Sequence, residues 1–334
     1  MLLIGRSFGR FLTLLLTGGI LVTWTASAGL AADDPAFAAW VKELEDDARA
    51  AGISEKTIDE ALGDLALVPD VVELDRKQPE TRQTFEEYRG RVLSETRVKK
   101  GRKLLKEHRS LLNRIAADYG VQPRFIIALW GIETSYGGFL GGHHVIKALA
   151  TLAYDGRRAE LFRRELIAAL RILDRGDIAL EDMKGSWAGA MGQCQFMPSS
   201  FLKYAVDYDG DGKRDIWNTL PDVFASIANY LSESGWDDKY TWGRPVQPAS
   251  VERTPPSSAG LKVVKSLPEW QSLGVRRENG SSLPTVALNA SLLRTDEGEG
   301  PSYLVYDNFR VLMVWNRSTY FALTVSELSD LIKR

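Results

Sequence analysis

The sequence has little of what would cross-link the chain or draw it to nucleic acid. Its 334 residues contain one cysteine, Cys194, so no disulfide can form within the chain. Lysine and arginine number 42 against 44 aspartates and glutamates, and this balance excludes the strongly basic surface that nucleic-acid binding requires. Stability must therefore come from hydrophobic cores, and a chain of this length can bury one or two.

Histidine is also scarce. The three histidines are His108, His143 and His144, and no nucleophile elbow accompanies them, so a serine hydrolase has no support. The adjacent pair His143 and His144 lacks the spacing of a zinc site, which favours a polar loop. No segment indicates an organic cofactor.

Long apolar runs are missing except near the N-terminus. Arg6 and Arg10 precede an apolar stretch over residues 11–22, and small residues follow it. This pattern predicts a secretory signal peptide over residues 1–32, because the apolar core is too short to span a membrane. Without Arg6 and Arg10 the mature chain would carry 40 basic and 44 acidic residues, a formal charge of −4. We expect an exported, soluble protein without a membrane span.

The order of sequence patterns predicts a mainly α fold with a small inserted antiparallel β unit. A helical stripe of Phe37, Trp40, Val41 and Leu44 opens a long helical region. After Trp236, a stretch rich in proline and serine leads to short alternating runs at 261–264 and 285–288, with a turn at 279–280, and these favour strands. The last segment returns to apolar residues and a short helix over 325–332. The expected divisions are a helical extension (33–118), a catalytic core (119–240), the β unit (241–308) and a C-terminal segment (309–334) that returns to the core.

Glu133 ends the most apolar helical run of the mature chain, residues 124–133. Ile126, Leu129 and Trp130 precede it at helical spacing on one face, so its carboxylate points toward a core. Burial and the negative end of the helix dipole both raise the pKa of such a group, which suits a proton donor near neutral pH. The alternative is a structural carboxylate bonded to a backbone amide of the following turn. The run alone leaves both interpretations open.

Residues 185–200 form a glycine-rich segment with small polar side chains. Ser186, Gln193 and Gln195 suit hydrogen bonding to the amides and hydroxyls of a neutral ligand. Small residues also permit close helix packing, so this segment by itself indicates either a binding site or a packing contact.

Residues 207–218 match the template of a calcium-binding loop. Asp207, Asp209 and Asp211 stand at its first, third and fifth positions, while Asn218 replaces the usual bidentate glutamate at the twelfth. The candidate ligands are Asp207, Asp209, Asp211, Lys213 through its carbonyl, and Asp222 if the loop is slightly expanded. We expect a structural Ca²⁺; the alternative is an acidic turn that holds no ion.

Taken in order, these segments resemble the lytic transglycosylase B family of bacterial cell-wall enzymes, glycoside hydrolase family 103. The resemblance covers nearly all of the mature chain. The matching stretches are residues 130–137, 148–158, 185–200, 207–218, 225–231, 235–236 and 314–323.

The resemblance implies a lysozyme-like α core with an EF-hand-type calcium loop, acting in the periplasm on the glycan strands of peptidoglycan. Glu133 matches the catalytic acid of the family. The residues that match its saccharide cleft are Ser186, Gln195, Tyr230, Asn316 and Tyr88. Phe321 stands where the family often has a tyrosine, so a hydroxyl is missing there.

The resemblance also implies a reaction that needs a single carboxylate. In the family scheme the acid protonates the glycosidic oxygen between N-acetylmuramic acid and N-acetylglucosamine. The 6-hydroxyl of the muramic acid then bonds to the anomeric carbon and closes a 1,6-anhydro ring. Ordinary glycosidases need two carboxylates, and Asp155, the other acid in a matching stretch, is expected to pair with the arginines that follow it. A lysozyme-type hydrolase and a non-catalytic peptidoglycan-binding protein are the alternatives.

Overall fold

The computed structural model describes residues 34–77, 83–247 and 256–333. The signal peptide expected over residues 1–32 lies outside these ranges. The described part of the chain contains fourteen α-helices and only short strands, which confirms the mainly α prediction. None of the described helices is both long and apolar enough to cross a bilayer.

Six helices form the N-terminal part. They are α1 (Pro35–Ala50), α2 (Glu55–Leu62), α3 (Pro69–Arg76), α4 (Phe85–Val92), α5 (Glu95–Glu107) and α6 (Arg109–Tyr119). The side chains of Asp34 and Thr84 cap α1 and α4 by accepting backbone N–H groups, which satisfies donors that a helix start leaves free. The stripe expected on α1 packs inward, with Phe37 and Leu44 buried and Trp40 stacked on Phe37.

Eight further helices complete the body. They are α7 (Pro123–Thr134), α8 (Val145–Asp155), α9 (Ala159–Asp174), α10 (Pro198–Tyr204), α11 (Leu220–Glu233), α12 (Leu267–Ser272), α13 (Asp307–Trp315) and α14 (Thr319–Lys333). The short helix expected over 325–332 is the C-terminal half of α14. Helices α5, α11 and α14 pack against α7, so the segment that carries Glu133 is surrounded by other helices.

Helix α7 begins and ends for different reasons. Pro123 stands in the first turn, where no backbone N–H is needed. The helix ends at Thr134 because Ser135 and Tyr136 both take left-handed backbone conformations, with φ of 52° and 61°. The helix therefore ends before Gly137 and Gly138, the nearest glycines after it. Two consecutive non-glycine residues in this region are strained, and such strain is often found beside functional groups.

The strands form two small sheets. Strands β1 (His143–His144) and β2 (Lys184–Gly185) pair antiparallel, and β3 (Gly243–Val246), β4 (Lys265–Ser266), β5 (Asn289–Arg294) and β6 (Ser302–Val305) form an antiparallel sheet in the order β3-β6-β5-β4. The prediction of strands at 261–264 and 285–288 was wrong. Each of these runs directly precedes a strand, the first β4 and the second β5. Residues Ala290–Leu293 of β5 are all buried, so the true strand shows no alternation for a sequence pattern to detect.

The β unit has a hydrophobic core of its own. Leu267, Trp270, Leu292 and Leu304 belong to this second cluster, and the Trp270 indole N–H donates to the carbonyl of Ala290 at 3.0 Å. On the other side of the sheet, Trp242 and Tyr303 belong to the main core, and the Trp242 indole donates to Asp330 on α14 at 2.9 Å. The sheet is thus fastened to the helical body through its β3 and β6 side.

Candidate active site

The carboxyl group of Glu133 has one hydrogen-bond donor among the described residues. The indole Nε1 of Trp315, at the end of α13, donates to Glu133 Oε1 at 2.7 Å. Burial raises the pKa of Glu133 to about 7, and the hydrogen bond from Trp315 opposes part of that rise. The partner is thus an indole from a distant helix, and not a backbone amide of the following turn. At such a pKa the carboxyl can both give and take a proton near neutral pH.

Aromatic rings surround Trp315 and form one wall of the site. Its ring centroid lies 4.6 Å from that of Tyr230 and 5.3 Å from that of Phe196. The Tyr230 hydroxyl donates to the carbonyl of Val314 at 3.2 Å, next to Trp315. Tyr230, a residue expected in the cleft, is therefore joined to Glu133 through Trp315.

Ser186 and Gln195 lie in a loop that closes on itself. The backbone N–H of Ser186 donates to the carbonyl of Ala190 at 2.8 Å, and the Ser186 hydroxyl accepts the Ala190 N–H at 3.0 Å. Gln195 has a left-handed φ of 51°, and its Nε2 donates to the carbonyls of Leu140 and Gly192 at 3.1 and 2.9 Å. The Gln195 Nε2 contact ties the loop to the segment that follows α7.

The side chain of Gln193 forms its hydrogen bonds within the protein interior. Its Oε1 accepts the indole N–H of Trp130 and its Nε2 donates to the carbonyl of Trp217, both at 2.7 Å. The side chain is buried, so both ends of its amide are satisfied away from solvent. Of the two interpretations that the sequence left open for this segment, Gln193 fits the packing contact, because it fastens the loop to α7.

Tyr88 and Asn316 are far apart in the sequence, but both lie near Glu133: Tyr88 through the charge of Glu133, and Asn316 as the residue after Trp315. The pKa of Tyr88 on α4 is raised mainly by burial; Arg91 opposes this shift and the charge of Glu133 adds to it, so Tyr88 shares the electrostatic environment of Glu133. Asn316 is exposed directly after Trp315, and its Oδ1 accepts the N–H of Ser318 at 2.9 Å. Phe321, where the sequence lacks a hydroxyl, is buried in the core.

Asp155 is engaged elsewhere in the protein. It accepts a hydrogen bond from Arg76 at 2.6 Å, whereas Arg157 and Arg158 both pair with the buried Asp75. The expected pairing of Asp155 with the arginines after it was therefore wrong. Arginine is still its partner, but it comes from α3. The causes of the Glu133 pKa shift are burial and Trp315, with no acidic neighbour among them.

The histidine pair is part of a strand and not of a loop. His143 pairs with Gly185 and His144 with Lys184 in the β1–β2 ladder. Strand β2 ends at Gly185, directly before the turn of residues 186–190, here called the Ser186 turn. The β1–β2 ladder therefore helps to position this turn.

The acidic loop brings three carboxylates together. Oxygen atoms of Asp207, Asp209 and Asp211 lie within 4.8 Å of one another. Asp207 accepts the N–H groups of Gly210 and Gly212 at 2.8 and 2.9 Å, so the backbone curls around its carboxylate. Hard oxygen ligands in such a turn suit Ca²⁺.

Asp222 lies beneath this loop, fully buried on α11. Its two oxygens accept the N–H groups of Tyr208 and Asp215, each at 2.8 Å, which joins the two ends of the loop. Burial raises the pKa of Asp222 to about 6, against the lowering effect of these bonds. Lys213 donates its backbone N–H to Asp211 at 2.8 Å within the same turn.

Trp315 is the functional candidate to which the sequence assigned no role. It lies within the matching stretch 314–323, beside Asn316, but its contact with Glu133 joins residues 182 positions apart. The available signal was a tryptophan adjacent to Asn316, an asparagine that the resemblance placed in the cleft.

The chain is similar to known proteins in sequence and in fold. The family described as "Transglycosylase SLT domain" matches residues 36–330. The membrane-bound lytic murein transglycosylase B of Escherichia coli (strain K12) is 35% identical over 248 residues, which cover 73% of this chain and 66% of that protein. The match thus spans just under two thirds of that relative's length.

Two solved structures are similar over most of the chain. SltB3 from Pseudomonas aeruginosa, in complex with NAG-NAM-pentapeptide, has a TM-score of 0.85 and 42% identity, covering 89% of this chain and 79% of that chain. The Escherichia coli lytic transglycosylase SLT35, in complex with calcium, has a TM-score of 0.73 and 29% identity, covering 90% and 94%. The lysozyme-like fold predicted from the sequence is thereby confirmed.

Proposed function

The chain belongs to the transglycosylase SLT domain family, and on that basis we propose that it is a lytic transglycosylase that cuts the β-1,4 bond between N-acetylmuramic acid and N-acetylglucosamine in peptidoglycan. The products would carry 1,6-anhydromuramic acid ends. The observation that carries this proposal is Glu133: a carboxyl with a pKa of about 7, one indole donor, and no acidic neighbour among the causes of its shift. A chemistry with one acid/base group fits this site better than a chemistry with two.

In the proposed reaction Glu133 acts twice. Its protonated carboxyl gives a proton to the glycosidic oxygen as the bond from that oxygen to the anomeric carbon breaks. The resulting carboxylate takes the proton of the muramic acid 6-hydroxyl while that oxygen bonds to the anomeric carbon. A pKa of about 7 suits both steps, because neither form of Glu133 is strongly disfavoured at neutral pH. No water is consumed, so the site must hold the sugar close and exclude solvent.

Trp315 is proposed as the positioning residue for this carboxyl. Its indole N–H holds Oε1 at 2.7 Å, which leaves the other oxygen, Oε2, to face the substrate. Packing of the Trp315 ring against Tyr230 and Phe196 restricts its own rotation. A carboxyl held in this way loses little freedom when the substrate binds.

Five residues are proposed to line the saccharide cleft around Glu133. They are Ser186, Gln195, Tyr230, Asn316 and Tyr88. Tyr230 supports this by its contact with Trp315, and Gln195 by the left-handed backbone that fixes its position. SltB3 in complex with NAG-NAM-pentapeptide adds a relative that binds such a fragment.

The leading alternative is a hydrolase of lysozyme type. It would need a second carboxylate or a positioned water, and Asp155, the candidate for the former, is paired with Arg76. A non-catalytic binding protein would not explain why a carboxyl is kept among apolar neighbours at a cost in stability.

The origin of the oxygen at the new chain end separates these reactions. Peptidoglycan digested in heavy-oxygen water is expected to give anhydromuropeptides without the label, because the ring closes with an oxygen already in the sugar. Mass spectrometry of the products reads both the label and the loss of one water. A hydrolase would place solvent oxygen at a reducing end, so mainly labelled reducing ends would refute the proposal.

A structural Ca²⁺ in the loop of Asp207, Asp209 and Asp211 is the second part of the proposal. Three carboxylates this close repel one another unless a cation lies between them. The E. coli relative SLT35 in complex with calcium supports the assignment. Asp222 and the carbonyl of Lys213 are the further ligands we propose.

Calcium is therefore expected to raise the melting temperature. A cation at about a hundred times its dissociation constant stabilises the folded state by about 2.7 kcal/mol, which is several degrees for a chain of this size. Thermal melts with Ca²⁺ and with a chelator measure the difference. A double variant, Asp207→Asn with Asp211→Asn, should melt at the same temperature in both. Equal melting of the wild-type protein, with no metal found by elemental analysis, would favour the loop without an ion.

Export to the periplasm belongs to the same proposal. It is supported by the signal peptide expected over residues 1–32 and by the location of peptidoglycan outside the inner membrane.

A further inference from the structure

Phe139 is the most exposed of the large apolar side chains in the described ranges. Its exposed fraction is 75%, against 57% for Val314 and 51% for Val286. Single exposed apolar residues are common, so exposure alone would indicate nothing. Phe139, however, lies only six residues beyond Glu133, in the segment that follows α7.

The backbone beneath Phe139 is fixed. Its N–H donates to the carbonyl of Thr134 at 3.0 Å, at the end of α7, and the next carbonyl, that of Leu140, accepts Nε2 of Gln195 at 3.1 Å. Gly137 donates its N–H to the Thr134 hydroxyl at 3.0 Å. The ring thus extends into solvent from a segment held at both sides, in contrast to the tip of a loose loop.

The same segment touches the Ser186 turn. A Cβ atom at Gly141 would come within 2.1 Å of the Gly185 carbonyl oxygen and 2.7 Å of the Ser186 nitrogen, so only glycine allows this approach. Phe139 therefore lies on the segment that connects the end of the Glu133 helix to Gln195 and to Ser186.

We propose that the Phe139 ring is a stacking platform for a saccharide ring of the bound glycan strand. This inference rests on the proposed function, since it extends the same cleft along the strand. A flat apolar ring on a rigid support offers contact area at a small cost in conformational entropy. Four of the six residues from 137 to 142 are glycines, and the side chain of Leu140 packs against the main core, so the segment has few side chains that could cover the ring. Phe139 would act on binding and on the choice of longer strands, without touching the reacting atoms.

The test measures binding separately from cleavage. Isothermal titration calorimetry would use Glu133→Gln protein and soluble glycan strands freed of their stem peptides. Adding Phe139→Ala is expected to weaken binding about three- to tenfold, the range for loss of one aromatic stacking contact. Phe139→Trp should restore it. Val286→Ala, which trims an exposed apolar side chain in the β unit, is the matched control and should leave affinity unchanged.

The outcomes separate this inference from the proposed function. Equal affinity with and without the Phe139 ring would overturn the platform and leave the proposed function intact. A fall of more than a few degrees in the melting temperature of Phe139→Ala would also overturn it, because a packed ring is not a free platform. No binding of the glycan by the Glu133→Gln protein itself would instead count against the proposed substrate.

Discussion

Replacing Glu133 by glutamine is expected to lower the turnover of peptidoglycan at least ~100-fold, within the usual range for loss of a general acid. Glutamine keeps the shape of the side chain, and its amide oxygen can still accept the indole N–H of Trp315. It cannot give a proton to the glycosidic oxygen or take one from the 6-hydroxyl. Release of soluble muropeptides, followed by chromatography, measures the loss. Circular dichroism should show an unchanged fold.

The control for this variant is Asp155→Asn. Asp155 is bonded to Arg76, and we expect its amide to retain activity within about threefold of wild type, as for most changes away from a site. Near wild-type turnover by Glu133→Gln would remove the assignment of the acid. An equally severe loss in Asp155→Asn would restore the two-carboxylate alternative.

Loss of the Trp315 indole is expected to change both the rate and its dependence on pH. The hydrogen bond favours the ionised carboxylate and lowers the pKa of Glu133, so Trp315→Phe should raise that pKa above about 7. The protonated form of Glu133 would then persist to higher pH. The alkaline limb of the pH profile of kcat/KM should therefore shift to higher pH. The rate should also fall about tenfold, the value of one hydrogen bond to a charged group at about 1.5 kcal/mol.

Trp270→Phe is the matched control for that change. Its indole N–H also bonds inside the protein, to the carbonyl of Ala290, but in the core of the β unit. This variant should lose stability and keep the wild-type pH profile. If Trp315→Phe left the alkaline limb in place, the indole would be a packing group and not the residue that positions Glu133.

The parts of the fold predicted well from sequence are those set by neighbours along the chain. Helix α7 is an example, because Pro123 sets its start and apolar residues on nearly every face require its burial. The position of Glu133 followed from that burial. The three aspartates of the loop could also be placed together, since their spacing of two residues and the turn between them are local.

The parts that could not be predicted depend on residues distant in sequence. The hydrogen bond between Trp315 and Glu133 exists only once α13 packs beside α7. Arg157 and Arg158 pair with Asp75 and not with Asp155, because the fully buried carboxylate of Asp75 on α3 needs cations more than the partly exposed Asp155 does. Strand β5 was missed since it is buried on both faces and has no alternation.

The position of α13 and α14 at the end of the described chain bears on synthesis. A polypeptide that has been translated only as far as the β unit already contains Glu133, Ser186 and Gln195. It still lacks the indole of Trp315 and the helix that packs on α7. A prematurely terminated chain of that length cannot assemble the site. The helices translated after the β unit thus complete the machinery, and fragments of the proposed wall-cutting enzyme that stop before these helices would be inactive.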